Sequence, residues 1–221
     1  MAEVFAKVFT PDNIRYLLGG LQNTVIISVC VIAISIVFGT ILALMRNYDK
    51  FIAGKLAAVY IEIFRNTPLL LWILMIRFMT RIPGIWSGVT SMSLFTSAIM
   101  AEIIRGGLNS VPQGQFEAAK SQGFSFMQTL LYIVIPQCFK NIVPSLLSQV
   151  ITAIKDSSFL AQVAIAEFTR TSQVIMGRFT TSAEVFVMYG SIAATYFVVN
   201  FALSCIVRYE KKSKKVSASP Q

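Results

Sequence analysis

Ionisable, amide and hydroxyl side chains within or beside long uncharged stretches are the residues of this sequence whose types and spacing could do chemistry. These residues are Glu62, Arg65, Asn66, Thr67, Glu102, Lys155, Asp156, Ser157 and Ser158. Because an ionised group in apolar surroundings is costly, such residues are functional candidates by default. Lys155 and Asp156 are adjacent, so their side chains would diverge by about 100° on a helix, and we expect one of them to face a polar cavity. The carboxylate and two hydroxyls of 155–158 would suit a solute that carries an ammonium group.

Two of these carboxylates have an arginine three residues later, which allows a purely structural interpretation. Glu62 with Arg65, and Glu102 with Arg105, would share one face of a helix and could neutralise each other. For both pairs the structural and the functional interpretation stay open.

Several kinds of catalytic and metal chemistry are excluded by what the sequence lacks. It contains 0 His, so neither a histidine triad nor a His-ligated zinc site is available within this chain. Cys30, Cys138 and Cys205 are far apart and indicate neither a disulfide framework nor a thiolate metal site. No carboxylates cluster near a nucleophile. We therefore expect no catalytic residue, no metal and no bound cofactor, and a membrane-embedded enzyme is disfavoured.

Long apolar segments must position the polar residues, because 55% of the chain is hydrophobic and 13% is charged, against about 25% charged in soluble domains. An apolar helix of about 20 residues crosses a bilayer. We predict an all-α integral membrane protein with five transmembrane helices, at 24–45, 56–76, 82–101, 138–166 and 185–207, with six as the alternative. Pro68 should bend the second helix and free Asn66 and Thr67 to line a polar cavity.

Basic residues are distributed unequally between the two sides that five spans define. With the C-terminus inside, 11 lie in the cytoplasm: Arg46, Lys50, Lys55, Arg105, Lys120, Lys140, Arg208, Lys211, Lys212, Lys214 and Lys215. The 6 outside are Lys7, Arg15, Arg77, Arg81, Arg170 and Arg178. Because cytoplasmic loops carry an excess of Lys and Arg, this bias predicts an outside N-terminus and a cytoplasmic C-terminus. The net charge of +9 then follows from topology and requires no nucleic-acid partner.

The stretch 110–137, between the third and fourth spans, has the strongest local helix signals. Pro112 suits a helix start, and Gly123 suits the position just after a helix end. Ser125 and Gln128 then form the pattern of a capping box that opens a second helix, which Pro136 should break. We predict two short helices with a sharp corner at Gly123. Such a loop is either a packing element or a docking surface, and local sequence does not distinguish the two.

The spacing of six residues in this loop resembles the EAA motif of ABC importer permeases; they are Glu117, Ala118, Ala119, Gly123, Ile133 and Pro136. Ile135 stands where the motif usually has leucine. Further stretches resemble the polar amino-acid branch of that superfamily: YIEIFRNTPLL at 60–70, AEIIRGG at 101–107, SVPQGQ at 110–115, IKDSSFL at 154–160 and AEFTR at 166–170. The resemblance extends over 19–208, nearly the whole chain.

This resemblance implies a type I importer transmembrane domain at 19–208, preceded by an N-terminal segment 1–18 and followed by a cytoplasmic basic tail 209–221. It implies that 117–123 forms a coupling helix that inserts into a groove of an ATPase subunit. It also implies that Asn66, Thr67, Asp156 and Ser157 lie near the translocation path. The cost of polar side chains in apolar segments adds Glu102 and Ser158 to these candidates.

We therefore expect the membrane-spanning permease subunit of an ATP-driven importer of the bacterial cytoplasmic membrane, for glutamine, glutamate or a basic amino acid. The only Gly-Lys pair, Gly54–Lys55, lacks the rest of a P-loop, so ATP and Mg²⁺ would be used by a partner ATPase. Expected partners are an ATPase dimer, a second permease that is either identical or a sister chain, an extracytoplasmic solute-binding protein and membrane lipid. The alternative is an ion-gradient-driven secondary transporter or channel, in which Asp156 or Glu102 would carry a proton.

Overall fold

The computed structural model describes residues 2–49 and 51–217, with side-chain surroundings up to residue 209. Over these residues every regular element is helical. The helices are α1 (Ala2–Val8), α2 (Pro11–Tyr48), α3 (Ile52–Arg65), α4 (Leu69–Met79), α5 (Gly84–Asn109), α6 (Gln113–Ser121), α7 (Phe126–Thr129), α8 (Ile135–Asp156), α9 (Phe168–Met176) and α10 (Ser182–Ser217). A π-helical segment (Leu130–Val134) joins α7 to α8, and a 3₁₀ segment (Ser157–Val163) follows α8.

Four helical runs of the described chain are long and apolar enough to cross a membrane, namely Pro11–Tyr48, Gly84–Asn109, Phe126–Val163 and Ser182–Tyr209. The α3–α4 pair makes a fifth span if its two halves are counted together. The prediction of an all-α membrane protein with about five spans is therefore confirmed, whereas the orientation stays a prediction.

The bend between α3 and α4 lies where the sequence places it. The two helices meet at 102°, and Pro68 caps the start of α4 in an extended conformation. A proline disfavours the helical conformation in the residue before it, so the chain cannot continue straight from α3 into α4.

The centre of the fold is the long parallel contact between α2 and α5, in which Ser35 lies beside Ser93 and Arg46 lies beside Glu102. Ile27 and Val31 of α2, like Met100 and Ala101 of α5, are completely buried. A Cβ atom added to Gly39 would lie 2.8 Å from the Met100 Cβ, so the two backbones approach closely only because this residue has no side chain. The apolar clusters that α3, α4 and α8 share with this pair complete the core.

The prediction that Pro136 breaks the helix after the capping box is wrong. The chain instead continues as one helical run, Phe126–Val163, so the fourth span begins before the predicted residue 138. The physical reason is the π-helical segment, in which the Ile135 N–H bonds to the Leu130 carbonyl, five residues back. This extra residue widens the turn and moves aside the carbonyl group that a proline would otherwise meet.

Two of the predicted segment boundaries fall inside helices. The boundary between 18 and 19 lies within α2, which begins at Pro11, after the Thr10 side chain caps its first turn. The boundary between 208 and 209 lies within α10, which continues to Ser217. Residues 218–221 of the predicted tail, and Lys50, lie outside the described residues. The division of the chain into these segments stays a prediction.

Candidate functional site

The corner at Gly123 has the geometry that its sequence position predicts. Gln122 ends α6, and Gly123 adopts a left-handed φ of 80°. The Gly123 N–H donates to the Lys120 carbonyl at 3.0 Å, and the Phe124 N–H donates to the Ala119 carbonyl at 3.1 Å. These two bonds form a Schellman motif, which satisfies the last carbonyl groups of α6 and turns the chain sharply.

The capping box that opens the next helix is also confirmed. The Gln128 N–H donates to the Ser125 hydroxyl at 3.3 Å, and the Ser125 N–H donates to the Gln128 side chain at 2.8 Å. Both short helices therefore begin or end with satisfied backbone groups, and the loop has a defined shape.

The outer side of the loop is accessible. Glu117 and Ala118 are exposed, whereas Ala119 is 3% exposed. Phe126 and Met127 follow the corner with more than half of their surface exposed. An exposed apolar surface rimmed by polar groups is typical of a protein interaction site, so this geometry favours docking over packing alone.

Contacts on the inner side attach the loop to the spans. The Tyr48 ring, at the end of α2, lies edge-on to the Phe126 ring with their centroids 5.3 Å apart. The Asn141 amide of α8 donates to the Ser110 hydroxyl at 3.1 Å, next to the end of α5. Ile133 is partly buried in the π-helical segment and Pro136 is exposed in the first turn of α8. A force on the loop would thus be transmitted to three spans.

Five charged side chains meet where α2, α3 and α5 approach one another. The Glu102 carboxylate accepts two bonds from Arg105, at 2.9 and 3.0 Å, and one from Arg46 at 3.0 Å. Arg65 approaches the same carboxylate at 3.7 Å. The i,i+3 pair of Glu102 and Arg105 is therefore confirmed. The other i,i+3 pair, Glu62 with Arg65, does not form. Glu62 instead bonds to Arg46 of α2 at 3.0 Å, and Arg65 faces Glu102 of α5, because helix packing brings these partners within reach.

The polar residues at the α3–α4 bend hydrogen-bond to the free end of α3. The Asn66 amide donates to the Glu62 carbonyl at 2.8 Å and to its carboxylate at 3.2 Å. The Thr67 hydroxyl donates to the Ile63 carbonyl at 2.7 Å and accepts from the Trp72 indole at 2.8 Å. These bonds hold the bend rigid and leave Asn66 on an exposed surface.

The 155–158 turn forms the end of α8. Lys155 is exposed, Asp156 is partly buried and Ser157 is buried, which agrees with the predicted divergence of the two charges. The Ser157 hydroxyl donates to the Ile154 carbonyl at 2.7 Å, and Ser158 is half-buried.

The 3₁₀ segment that follows α8 packs against α4. Leu69, at the start of α4, belongs to the same buried cluster as Leu160 of the 3₁₀ segment. The fold therefore packs α4, which follows the 66–67 bend, against the 3₁₀ segment that begins at Ser157, while Glu102 lies in the separate charged cluster described above.

Glu167, within the stretch AEFTR, is a fully buried carboxylate to which the sequence alone assigns no role. It caps α9 by accepting from the Arg170 and Thr169 N–H groups at 2.7 and 2.9 Å, and it accepts from the Tyr196 hydroxyl at 3.2 Å. Burial raises the pKa of Glu167, and the two backbone bonds oppose that shift. Glutamate is not a favoured helix cap, so composition alone contained no signal for this role.

Among the residues that the structure describes, no three His, Cys, Asp or Glu side chains are grouped as a metal site would require. The arrangement instead provides an exposed loop of defined shape attached to several spans, a polar helix bend at 66–67 and a polar turn at 155–158.

Comparison with known proteins gives concordant results along most of the chain. The family model described as "Binding-protein-dependent transport system inner membrane component" matches residues 35–215. The "Probable glutamine ABC transporter permease protein GlnP" of Bacillus subtilis is 34% identical over 209 residues, covering 92% of this chain and 96% of the relative. The "Glutamate/aspartate import permease protein GltK" of Escherichia coli O157:H7 is 34% identical over 213 residues, covering 90% and 94%.

Two solved structures are similar. An amino acid ABC transporter crystallised with histidines superposes with a TM-score of 0.79 and 32% identity, covering 90% of this chain and 94% of the other. The inward-facing MetNI methionine ABC transporter superposes with a TM-score of 0.74 at 17% identity, covering 91% and 99%, and supports the fold alone.

Proposed function

This chain belongs to the family of binding-protein-dependent transport system inner membrane components, and we propose that within an ABC importer it carries a polar amino acid across the membrane. As a member of that family it is a multi-pass permease subunit of the bacterial plasma membrane. The proposal concerns the identity of the solute, the ATPase subunit that drives transport, and the residues that contact each of them.

The Gly123 corner is the observation that carries the coupling part of the proposal. It presents Glu117 and Ala118 on the exposed side of a short, rigid helix, with apolar Phe126 and Met127 beside them. We infer that this surface inserts into a groove of an ATPase subunit on the cytoplasmic side. Because the loop is attached to α2, α5 and α8, closure of an ATP-bound ATPase pair would pull on these spans and open the pathway alternately to each side.

The 66–67 bend and the 156–158 turn are the proposed lining of the pathway. An ionisable side chain at membrane depth needs a polar cavity or a partner, and Asp156 is only partly buried. Its carboxylate would receive the ammonium group of an amino acid, while Ser157, Ser158, Asn66 and Thr67 supply neutral hydrogen-bonding groups. The curated relatives named above are glutamine and glutamate/aspartate permeases, which supports a polar amino acid as the solute.

The proposed assembly has four kinds of component. Five spans are too few to enclose a pathway on all sides, so a second permease, identical or a sister chain, would complete it. An ATPase dimer would bind ATP and Mg²⁺ on the cytoplasmic side, and a solute-binding protein would deliver the amino acid from outside. The excess of Lys and Arg on one side supports a proposed orientation with the N-terminus outside and the C-terminus in the cytoplasm.

A mild-detergent purification of the tagged chain from its own membrane, with mass spectrometry of the retained proteins, tests this proposal. We expect an ABC ATPase and an amino-acid-binding protein to be retained, and addition of the bound amino acid to stimulate ATP hydrolysis. A chain that is purified alone, and that still moves solute in vesicles without ATP, would overturn the proposal in favour of a gradient-driven carrier.

A further inference from the structure

Arg46 joins two helices through the two ends of one guanidinium group. Its Nη1 donates to Glu102 Oε1 of α5 and its Nη2 donates to Glu62 Oε1 of α3, each at 3.0 Å. The Arg46 side chain is 24% exposed, so these charge-assisted bonds are partly shielded from solvent. A lysine could not make both bonds in this way, because its ammonium group is a single point charge without a planar fork.

The two carboxylates that Arg46 joins lead to different parts of the molecule. Glu62 accepts from the Asn66 amide at 3.2 Å, and Asn66 is the first residue of the α3–α4 bend. Glu102 lies on the last turns of α5, which ends at Asn109 and runs directly into the loop. Arg46 is therefore the shared partner of a group next to the bend and a group on the helix that carries the loop.

Outside the charged cluster, α3 contacts α5 through Tyr60 and through Ile61, which shares a buried apolar cluster with Ala101 of α5. The Tyr60 hydroxyl donates to the Leu94 carbonyl at 2.7 Å and lies 3.0 Å from the Ser97 hydroxyl. Beyond Tyr60, the charged cluster holds the last turn of α3, where Glu62 is about half-exposed. The residues of α3 after Ile61 are thus linked to α5 by the ion pairs of the charged cluster, through Arg46 and directly from Arg65.

We propose that Arg46 is a positioning residue for transport, which clamps the last turn of α3 to α5 so that the bend follows the motion of the loop. This inference rests on the proposed function, in which the loop receives the ATPase and the bend lines the pathway. Arg46 itself contacts neither the solute nor the ATPase. Its role is to keep Glu62, and through it Asn66, in a fixed position relative to Glu102.

The variant Arg46→Met is suited to test the clamp because neither carboxylate is left buried without a partner when the arginine is removed. Glu102 retains its two bonds to Arg105, and Glu62 is exposed enough to remain hydrated. The matched control is Arg65→Met, which removes the same charge from the same cluster but breaks only the longer 3.7 Å contact. Arg46→Lys keeps the charge and removes the fork.

The first measurement is made on the chain alone. Spin labels are attached at Ile63→Cys and Asn109→Cys, two exposed positions on α3 and α5, after Cys30, Cys138 and Cys205 are replaced by alanine. Arg46→Met should broaden the distance distribution between the labels, whereas Arg65→Met should leave it as in the unmodified chain. Equal distributions in the Arg46→Met and unmodified chains would overturn the clamp.

The second measurement uses the complex purified from its own membrane, with L-glutamine, L-glutamate or L-arginine as the probe, whichever stimulates the unmodified complex. Arg46→Met should lower solute-stimulated ATP hydrolysis about tenfold, within the usual range of coupling between sites. The retained ATPase and the basal hydrolysis should not change, and Arg46→Lys should fall between the two. Loss of basal hydrolysis in the same proportion would make Arg46 merely structural and overturn the proposal.

The two measurements separate this inference from the proposed function. If the unmodified chain retains no ATPase, the proposed function fails, and the positioning role for transport that rests on it is overturned as well. The distance distributions still decide, in that case, whether Arg46 clamps α3 to α5. If the unmodified complex behaves as proposed and Arg46→Met resembles Arg65→Met, the proposed function stands and the positioning role is wrong.

Discussion

Substituting valine for Gly123 should weaken docking of the ATPase through the backbone alone. A Cβ atom at this position would meet nothing within 4 Å, so no steric collision contributes. The left-handed φ of 80°, however, costs an L-residue roughly 1–2 kcal/mol, and more when the side chain is β-branched. The two Schellman bonds, at 3.0 and 3.1 Å, each contribute about 1 kcal/mol net. The backbone cost of the valine is comparable to the stabilisation by these two bonds, so the Schellman turn should be formed in a much smaller fraction of molecules.

Docking affinity should fall in proportion to that fraction, by about 5- to 30-fold for 1–2 kcal/mol. Gly114→Val is the matched control, since Gly114 lies in the same loop, has the same open surroundings and has no left-handed φ. The assay titrates the purified ATPase against immobilised permease in detergent, and protease protection of the spans confirms that both variants insert normally. Equal affinities of the two valine variants would refute the assignment of the Gly123 corner to docking.

Three further changes test the pathway, the core and the buried carboxylate. Asp156→Asn should reduce solute-stimulated transport about tenfold or more, because it removes the charge proposed to receive an ammonium group, while the retained ATPase stays unchanged; equal loss of both would make Asp156 structural. Gly39→Ala should destabilise the permease by about 1–3 kcal/mol, since its Cβ would lie 2.8 Å from the Met100 Cβ, whereas Gly19→Ala in the same helix should not. Equal thermal unfolding temperatures of the Gly39→Ala and Gly19→Ala variants in detergent would contradict the close contact at Gly39. Glu167→Ala should cost about 1–2 kcal/mol through the lost cap of α9, measured in the same way, and an unchanged unfolding temperature would show that the cap is dispensable.

The features that could be predicted from sequence are those that depend on local backbone chemistry or on the polarity of whole segments. Pro68 restricts the residue before it through local sterics, and the chain bends there between α3 and α4. Gly123 and the Ser125 capping box likewise form their bonds within a few residues. Uncharged runs of about 20 residues identify the spans because the bilayer excludes charge from its core.

The failed predictions share a different cause. Local sequence predicts that Pro136 breaks a helix, yet the chain continues through a π-helical segment just before it, in which Val134 is fully buried. Glu62 was paired with Arg65 by helical spacing, yet its partner Arg46 lies on another helix, 16 residues earlier in the chain. Sequence separation contains no information on which side chains meet across a helix interface.

The amino-acid sequence by itself determined the helical class, the approximate spans, the bend at Pro68, the corner at Gly123 and, through the resemblance of its motifs, the family. Each of these follows from residue type, local backbone preference or the resemblance of the residue spacing to a known motif. Only the tertiary structure decided that Arg46 joins Glu62 to Glu102, that Glu167 is a buried cap of α9, and that the 3₁₀ segment after α8 packs against α4. Those arrangements depend on how apolar helices pack against one another, because close packing selects the distant neighbours of each side chain.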